Sequence, residues 1–274
     1  MDIHEIKNLK GQRKITMLTA YDYPVASLVD EAGIDIILVG DSLANVVLGL
    51  ESTTQVGMPE MLHHAKAVRR AVKNALLVAD MPYSAYQLNP GECLSNARRF
   101  IAEAGAQAVK LEWFDRCLEV TEQLVGAQIP VMGHIGLTPQ TADKLEGFKC
   151  QGKDAQGAKL LIDQAEALER SGCFAIVLEC VPDKIAELIT KKIKIPTIGI
   201  GAGAHCDGQV LVINDMLGLF KRYTPKFVKK YADLSPLILA AVENFKNEVA
   251  QEKFPGPEHS FTIKEEELKK INDR

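Results

Sequence analysis

Short apolar runs recur along the chain, and stretches with helical spacing lie between them. Three runs share one layout: Gly33-Ile-Asp-Ile-Ile-Leu-Val-Gly-Asp41, Gly105-Ala-Gln-Ala-Val-Lys-Leu-Glu112 and Gly172-Cys-Phe-Ala-Ile-Val-Leu-Glu179. Each reads as a helix stop, a buried strand and an acid at the strand's carboxyl end. Glycine suits the left-handed helix terminus because it has no Cβ to clash. A continuous apolar run suits a parallel strand covered on both faces. The acid is the odd member, because an ionised carboxylate beside an apolar core is costly unless something pairs with it.

Applied to the whole chain, the pattern predicts strands at 16–22 (ending at Asp22), 33–41, 75–80, 108–112, 130–134, 174–179, 195–200 and 210–213. Helices are predicted over 23–32, 58–72, 115–126, 158–171 and 182–192, with another opening at Asn89-Pro90 and running to Gly105. Met61, Leu62, Ala65 and Val68 mark the apolar face of the second helix. Residues 43–57 read as a long loop, 141–156 as a polar loop, the stretch to about Gln251 as mostly helical, and 262–274 as a charged tail. Eight alternating strand–helix units predict an α/β fold of the (β/α)8 TIM-barrel type over 1–261, with a doubly wound open sheet as the alternative. In both folds active sites lie at the carboxyl ends of strands, where Asp41, Asp80, Glu112, His134 and Glu179 fall.

Composition narrows the class. Hydrophobic residues make up 47% and charged residues 25%, the balance of a globular protein. A net charge of −4 argues against nucleic acid or an anionic membrane as partner. No apolar run is long enough to span a bilayer and Met1–Lys10 has no apolar leader core, so a cytoplasmic protein is expected. The six cysteines form no C-x-x-C pair, and their apolar settings point to reduced core thiols.

Each candidate residue has a structural reading beside a chemical one. Asp41 and Ser42 are good helix N-caps. Lys110 and Glu112 are two apart on a strand and face one way, which suits an internal ion pair or a lysine holding a substrate anion below a rim carboxylate. Glu179 is either a solvated strand-end acid or a general base in a water-poor site. His134, ahead of Gly136 and Thr138-Pro139, is either a rim histidine or a substrate contact. Gly199-Ile-Gly201-Ala-Gly203-Ala204 resembles a dinucleotide fingerprint but comes late in the chain and lacks the following helix, so it reads as a tight rim loop. Two carboxylates about 4 Å apart repel by roughly 4 kcal/mol at an effective dielectric near 20, so converging acids call for a cation. Hard oxygen donors favour Mg²⁺ or Mn²⁺ over zinc. Such an ion polarises a carbonyl, and a glutamate beside it gives proton abstraction α to a ketone.

Leu38-Val-Gly-Asp-Ser42, Leu77-Val-Ala-Asp80-Met-Pro82, Val109-Lys-Leu-Glu112, Gly133-His-Ile-Gly-Leu-Thr-Pro-Gln140, Val177-Leu-Glu-Cys-Val-Pro182 and Ile198-Gly-Ile-Gly-Ala-Gly203 together resemble the ketopantoate hydroxymethyltransferase family. Asp207-Gly-Gln-Val-Leu-Val212 and Pro255-Gly-Pro-Glu-His-Ser-Phe261 extend the likeness, which runs in order from about residue 12 to 261. The resemblance implies hydroxymethyl transfer from 5,10-methylenetetrahydrofolate to 3-methyl-2-oxobutanoate, giving 2-dehydropantoate. It implies Asp41 and Asp80 as Mg²⁺ ligands with Glu112 completing the site. It further implies Asp41, Asp80, Ser42 and Lys110 around the oxoacid, Glu179 as the proton acceptor at C3, and His134 nearby. A homodecamer of two stacked five-membered rings is implied as well.

The sequence departs from the family pattern at Ala44, where glycine is common, at Gln55, where proline is common, and at Trp113, which replaces a small residue after Glu112. Glu265–Glu267 and Lys269–Lys270 in the tail are spaced to pair along a helix. Phosphoenolpyruvate mutases and isocitrate lyases are a rival class with a similar acidic Mg²⁺ site, but the lyase motif Lys-Lys-Cys-Gly-His is absent. A non-catalytic assembly barrel is the other rival; it would bury these acids without use, which is costly.

Overall fold

The computed structural model describes residues 1–87, 90–141 and 149–272. Eight parallel strands close into a barrel in chain order: β1 (Ile15–Thr19), β2 (Ile36–Val39), β3 (Leu76–Asp80), β4 (Ala108–Glu112), β5 (Val131–Gly136), β6 (Ala175–Glu179), β7 (Thr197–Ile200) and β8 (Gly208–Leu211). The helices are α1 (Ile3–Asn8), α2 (Tyr23–Glu31), α3 (Leu43–Val46), α4 (Met58–Ala71), α5 (Tyr83–Tyr86), α6 (Cys93–Ala102), α7 (Cys117–Gly126), α8 (Ala155–Arg170), α9 (Asp183–Lys192), α10 (Ile213–Met216), α11 (Leu234–Ala250) and α12 (Glu265–Asn272). This is the expected (β/α)8 barrel, and the open-sheet alternative is set aside because β1 pairs with β8.

Alternation along the strands divides two apolar layers. Met17, Ile36, Leu38, Leu76, Val78, Ala108, Met132, Ala175, Val177 and Ile198 fill the barrel interior, with Ile6 of α1 packed among them. The opposite faces, including Ile37, Val39, Leu77, Ala79, Val109, Leu111, Ile176 and Leu178, pack against the helices. The helix-stop glycines Gly33, Gly105 and Gly172 all have left-handed φ, from +67° to +95°. All six cysteines are free thiols.

Several expected boundaries move. The first strand ends at Thr19 rather than Asp22, because the Asp22 carboxylate instead caps α2 by accepting from Val25 N–H at 2.9 Å. The expected loop over 43–57 contains α3 and a 3-10 turn at Thr53–Gln55, which Ser52 and Gln55 close by reciprocal capping. The last strand is Gly208–Leu211, set by register with β1, rather than 210–213. The expected helical stretch to Gln251 holds only α10 and α11, because Gly218, with φ +67°, turns the chain between them. The sixth helix is preceded by a 3-10 turn at Pro90–Glu92. Residues 142–148 of the expected polar loop, Asn89, and residues 273–274 of the tail lie outside the described residues. Within the tail, α12 carries a Lys270–Glu267 pair at 2.7 Å.

One side of the barrel lacks an outer cover. Thr16 of β1 and Gln209 of β8 are exposed where a helix would pack, while α11 has no buried residue along its length. Leu237, Ile238, Val242 and Phe245 of α11 are each more than half exposed.

Candidate active site at the carboxyl rim

Strand register brings the predicted residues together. Asp80 stands opposite Lys110, Glu112 opposite His134, and Gly136 opposite Glu179. In each strand the polar residue continues the inward-facing apolar set: Leu76, Val78 and then Asp80; Ala108 and then Lys110 and Glu112; Met132 and then His134; Ala175, Val177 and then Glu179. The acids therefore cap the barrel core at the end where (β/α)8 enzymes carry their sites.

Lys110 lies one layer below Glu112 and donates to Asp80 Oδ1 at 2.5 Å, both side chains being buried. The other oxygen of Asp80 accepts the backbone N–H of Asp41 at 3.1 Å. Gly40 makes that approach possible, because a Cβ there would meet Ser42 Oγ at 2.8 Å and Asp80 Oδ2 at 3.4 Å. Asp41 is not a helix cap: its Oδ2 accepts from Gln140 Nε2 at 2.8 Å. Ser42 precedes α3 but makes no capping bond, and its hydroxyl pairs with Tyr21 Oη at 2.8 Å. His134 lies between two acids, with Nδ1 3.5 Å from Glu112 and Nε2 3.3 Å from Glu179. Neither contact has hydrogen-bond geometry, so the attraction is mainly between charges.

Sequence reasoning missed two residues that tie these acids together. Gln140 donates its backbone N–H to Glu112 Oε2 at 2.9 Å, and its side-chain amide also reaches the Met81 carbonyl at 3.0 Å. Tyr86, fully buried on α5, donates to Gln140 Oε1 at 2.5 Å and accepts from the Glu112 backbone N–H at 3.1 Å. Gln140 closes the motif Gly133-His-Ile-Gly-Leu-Thr-Pro-Gln140, and that position is the only signal the sequence offers for it.

The electrostatics are unbalanced. Four acids, Asp41, Asp80, Glu112 and Glu179, meet one lysine and one imidazole. Burial, then the charges of Asp80 and Glu112, raise the Asp41 carboxyl well above its ordinary range despite Lys110 and Gln140. Burial pulls the Lys110 ammonium down, but Asp80, Glu112 and Asp41 outweigh it and hold the amine charged. Burial and Lys110 likewise oppose a charge on His134, yet Glu112 and Glu179 prevail and lift the imidazole to about 9. One more cation beside Asp41 and Asp80 would relieve the excess. Among the described residues no group of three His, Cys, Asp or Glu is arranged to enclose a metal.

A parallel barrel with buried carboxylates around a lysine at its carboxyl rim belongs to the large class of (β/α)8 enzymes. Within that class, the chain belongs to the ketopantoate hydroxymethyltransferase family, whose model matches residues 1–257. It is 57% identical over 262 residues to the 3-methyl-2-oxobutanoate hydroxymethyltransferase of Syntrophomonas wolfei subsp. wolfei, covering 96% of this chain and 95% of that protein. The enzyme of the same name from Syntrophobacter fumaroxidans is 54% identical over 270 residues, covering 98% and 96%. Among solved structures, the phosphoenolpyruvate phosphomutase of Streptomyces platensis subsp. rosaceus aligns with TM-score 0.61 over 100% of this chain and 94% of its own. At 16% identity that likeness concerns the barrel alone.

Proposed function

We propose that the carboxyl rim carries hydroxymethyl transfer as follows. The chain transfers the one-carbon unit of 5,10-methylenetetrahydrofolate to 3-methyl-2-oxobutanoate, giving 2-dehydropantoate for pantothenate and coenzyme A synthesis. The observation that carries the residue roles is the convergence of Asp80, Lys110, Glu112, His134 and Glu179 through strand register, with Asp41 hydrogen-bonded to Asp80.

Asp41 and Asp80 would hold Mg²⁺, with Glu112, oriented by His134 and Gln140, completing the site. When bound, the ion supplies Lewis-acid polarisation of the 2-oxo group, which acidifies the C3 proton. Lys110 and Ser42 hold the oxoacid's carboxylate end. Glu179 is partly exposed and takes the C3 proton, and the charged His134 beside it steadies the carboxylate before transfer. Water hydrolyses the N–CH2–N bridge of the folate: both C–N bonds break, each nitrogen gains a proton, and the carbon is released at the formaldehyde level as tetrahydrofolate leaves. The C3 carbanion adds to that carbon, forming the new C–C bond, and the resulting alkoxide takes the proton held by Glu179 to become the product's hydroxyl.

The partly uncovered barrel face and the exposed apolar side of α11 support a homo-oligomer, with the decamer of the family as its form. No helix among the described residues is long and apolar enough to cross a membrane, and reduced core thiols support a cytoplasmic setting.

The test is exchange of the C3 proton of 3-methyl-2-oxobutanoate with D₂O. Exchange should require Mg²⁺ and stop in Glu179→Gln, while that variant still binds the oxoacid. Undiminished exchange in the variant removes Glu179 from the base role.

A further inference from the structure

We infer that the cavity walled by Tyr83, Trp113 and Phe114 receives the pterin ring of the folate co-substrate, an inference that rests on the hydroxymethyl-transfer reading. The cavity is about 360 Å³ and lies between the ends of β4 and β5 and the first half of α8. That volume is within the range of small-molecule sites, roughly 300–1,000 Å³. Its aromatic walls suit a flat heterocycle, which packs by offset or edge-to-face contact.

Position ties the cavity to the chemistry. Trp113 directly follows Glu112, and its backbone N–H donates to the His134 carbonyl at 2.9 Å. Gly136, another wall residue, is the register partner of Glu179. Gln87 shares its amide between Tyr86 Oη and Gln140 Oε1, both at 3.1 Å, so the cavity and the acid cluster have a common wall. A one-carbon donor lodged here would approach the acid cluster from the side of β4 and β5.

Gln164 supplies an independent sign of a ligand. It is only 9% exposed, it lines the cavity, and among the described residues its carboxamide has no hydrogen-bond partner. Lining the cavity without a protein partner, the amide offers both a donor and an acceptor to an occupant that carries the complementary pair along one edge. The amino-oxo edge of a pterin has both. An apolar acyl chain would leave Gln164 unpaired, and a lone anion would not use the aromatic walls.

Trp113 is the only tryptophan in the chain, so it reports on this cavity alone. Titrating 5-formyltetrahydrofolate into the Mg²⁺-loaded enzyme with 3-methyl-2-oxobutanoate present should quench its fluorescence saturably. Trp113→Leu and, separately, Gln164→Leu should each raise KM for 5,10-methylenetetrahydrofolate about tenfold while C3 proton exchange, which needs no folate, continues. Absence of saturable quenching, or a wild-type folate KM in both variants, overturns the assignment. Quenching in a wild-type enzyme that shows no proton exchange would overturn the base assignment and leave this cavity assignment standing.

Discussion

Gln140 joins an acid just past β2 to the acid that ends β4: its side-chain amide donates to Asp41 Oδ2 at 2.8 Å while its own backbone N–H donates to Glu112 Oε2 at 2.9 Å. One residue thus sets the spacing of two carboxylates assigned to the metal site. Partners of this kind typically matter 10–100-fold for metal affinity. Gln140→Ala should weaken Mn²⁺ binding by roughly that factor, measured by calorimetry on the folded protein. Tyr86→Phe removes the hydroxyl that supports Gln140 and should move affinity the same way by less. An unchanged Mn²⁺ dissociation constant in Gln140→Ala would detach Gln140 from the metal site.

Lys110 and Asp80 form a buried pair, and removing one partner leaves the other charge uncompensated. If Lys110 holds the oxoacid as proposed, Lys110→Met should weaken oxoacid binding at least tenfold, and Mg²⁺, by compensating Asp80, should keep the chain folded. Thermal melts with and without Mg²⁺ check this. Unfolding in both conditions would favour the purely structural ion pair.

How far these features were readable depends on what fixes each of them. Asp80, Lys110, Glu112 and Glu179 were legible because a strand allows only two side-chain directions, so an acid two residues beyond an inward apolar residue must reach the rim. Gln140 was not, because it lies past β5 on a turn held by the bond from Leu137 N–H to the Glu179 carbonyl, a contact between distant segments. Tyr86 was hidden on a four-residue helix, too short to show periodicity. The apolar pattern of α11 announced a helix but not where its face would be covered, since a barrel helix and an interface helix share the same spacing.

Asp30 gives a pH-dependent contribution to stability away from the site. Burial raises its carboxyl, but hydrogen bonds from the backbone N–H groups of Ala75, Lys73 and Asn74, and from the Asn74 side chain, outweigh that and hold it below its ordinary value. The folded state therefore favours the ionised form. The stabilisation is full above the unfolded-state value of about 3.9 and disappears as pH falls through the lower folded-state value. Asp30→Asn should lose about 1.5–3 kcal/mol at pH 7, because it keeps the shape but not the charge that the N–H donors face. Denaturant unfolding across pH should show the two proteins converging in acid. A constant difference down to pH 2 would assign the loss to packing instead.

The exposed face of α11 makes the oligomer testable through side chains remote from the acids. Leu237 is 66% exposed and Phe245 56%, eight positions apart on a helix and so close to one face. Burying such a face against a second copy removes apolar area from water, and a carboxylate placed there would be desolvated without a partner. Leu237→Glu combined with Phe245→Glu should lower the mass seen by sedimentation velocity toward that of the 30.0 kDa chain. The far-ultraviolet circular dichroism should stay that of an intact barrel, because neither residue belongs to its core. If the altered protein sediments as wild type does, α11 is not part of a contact between copies.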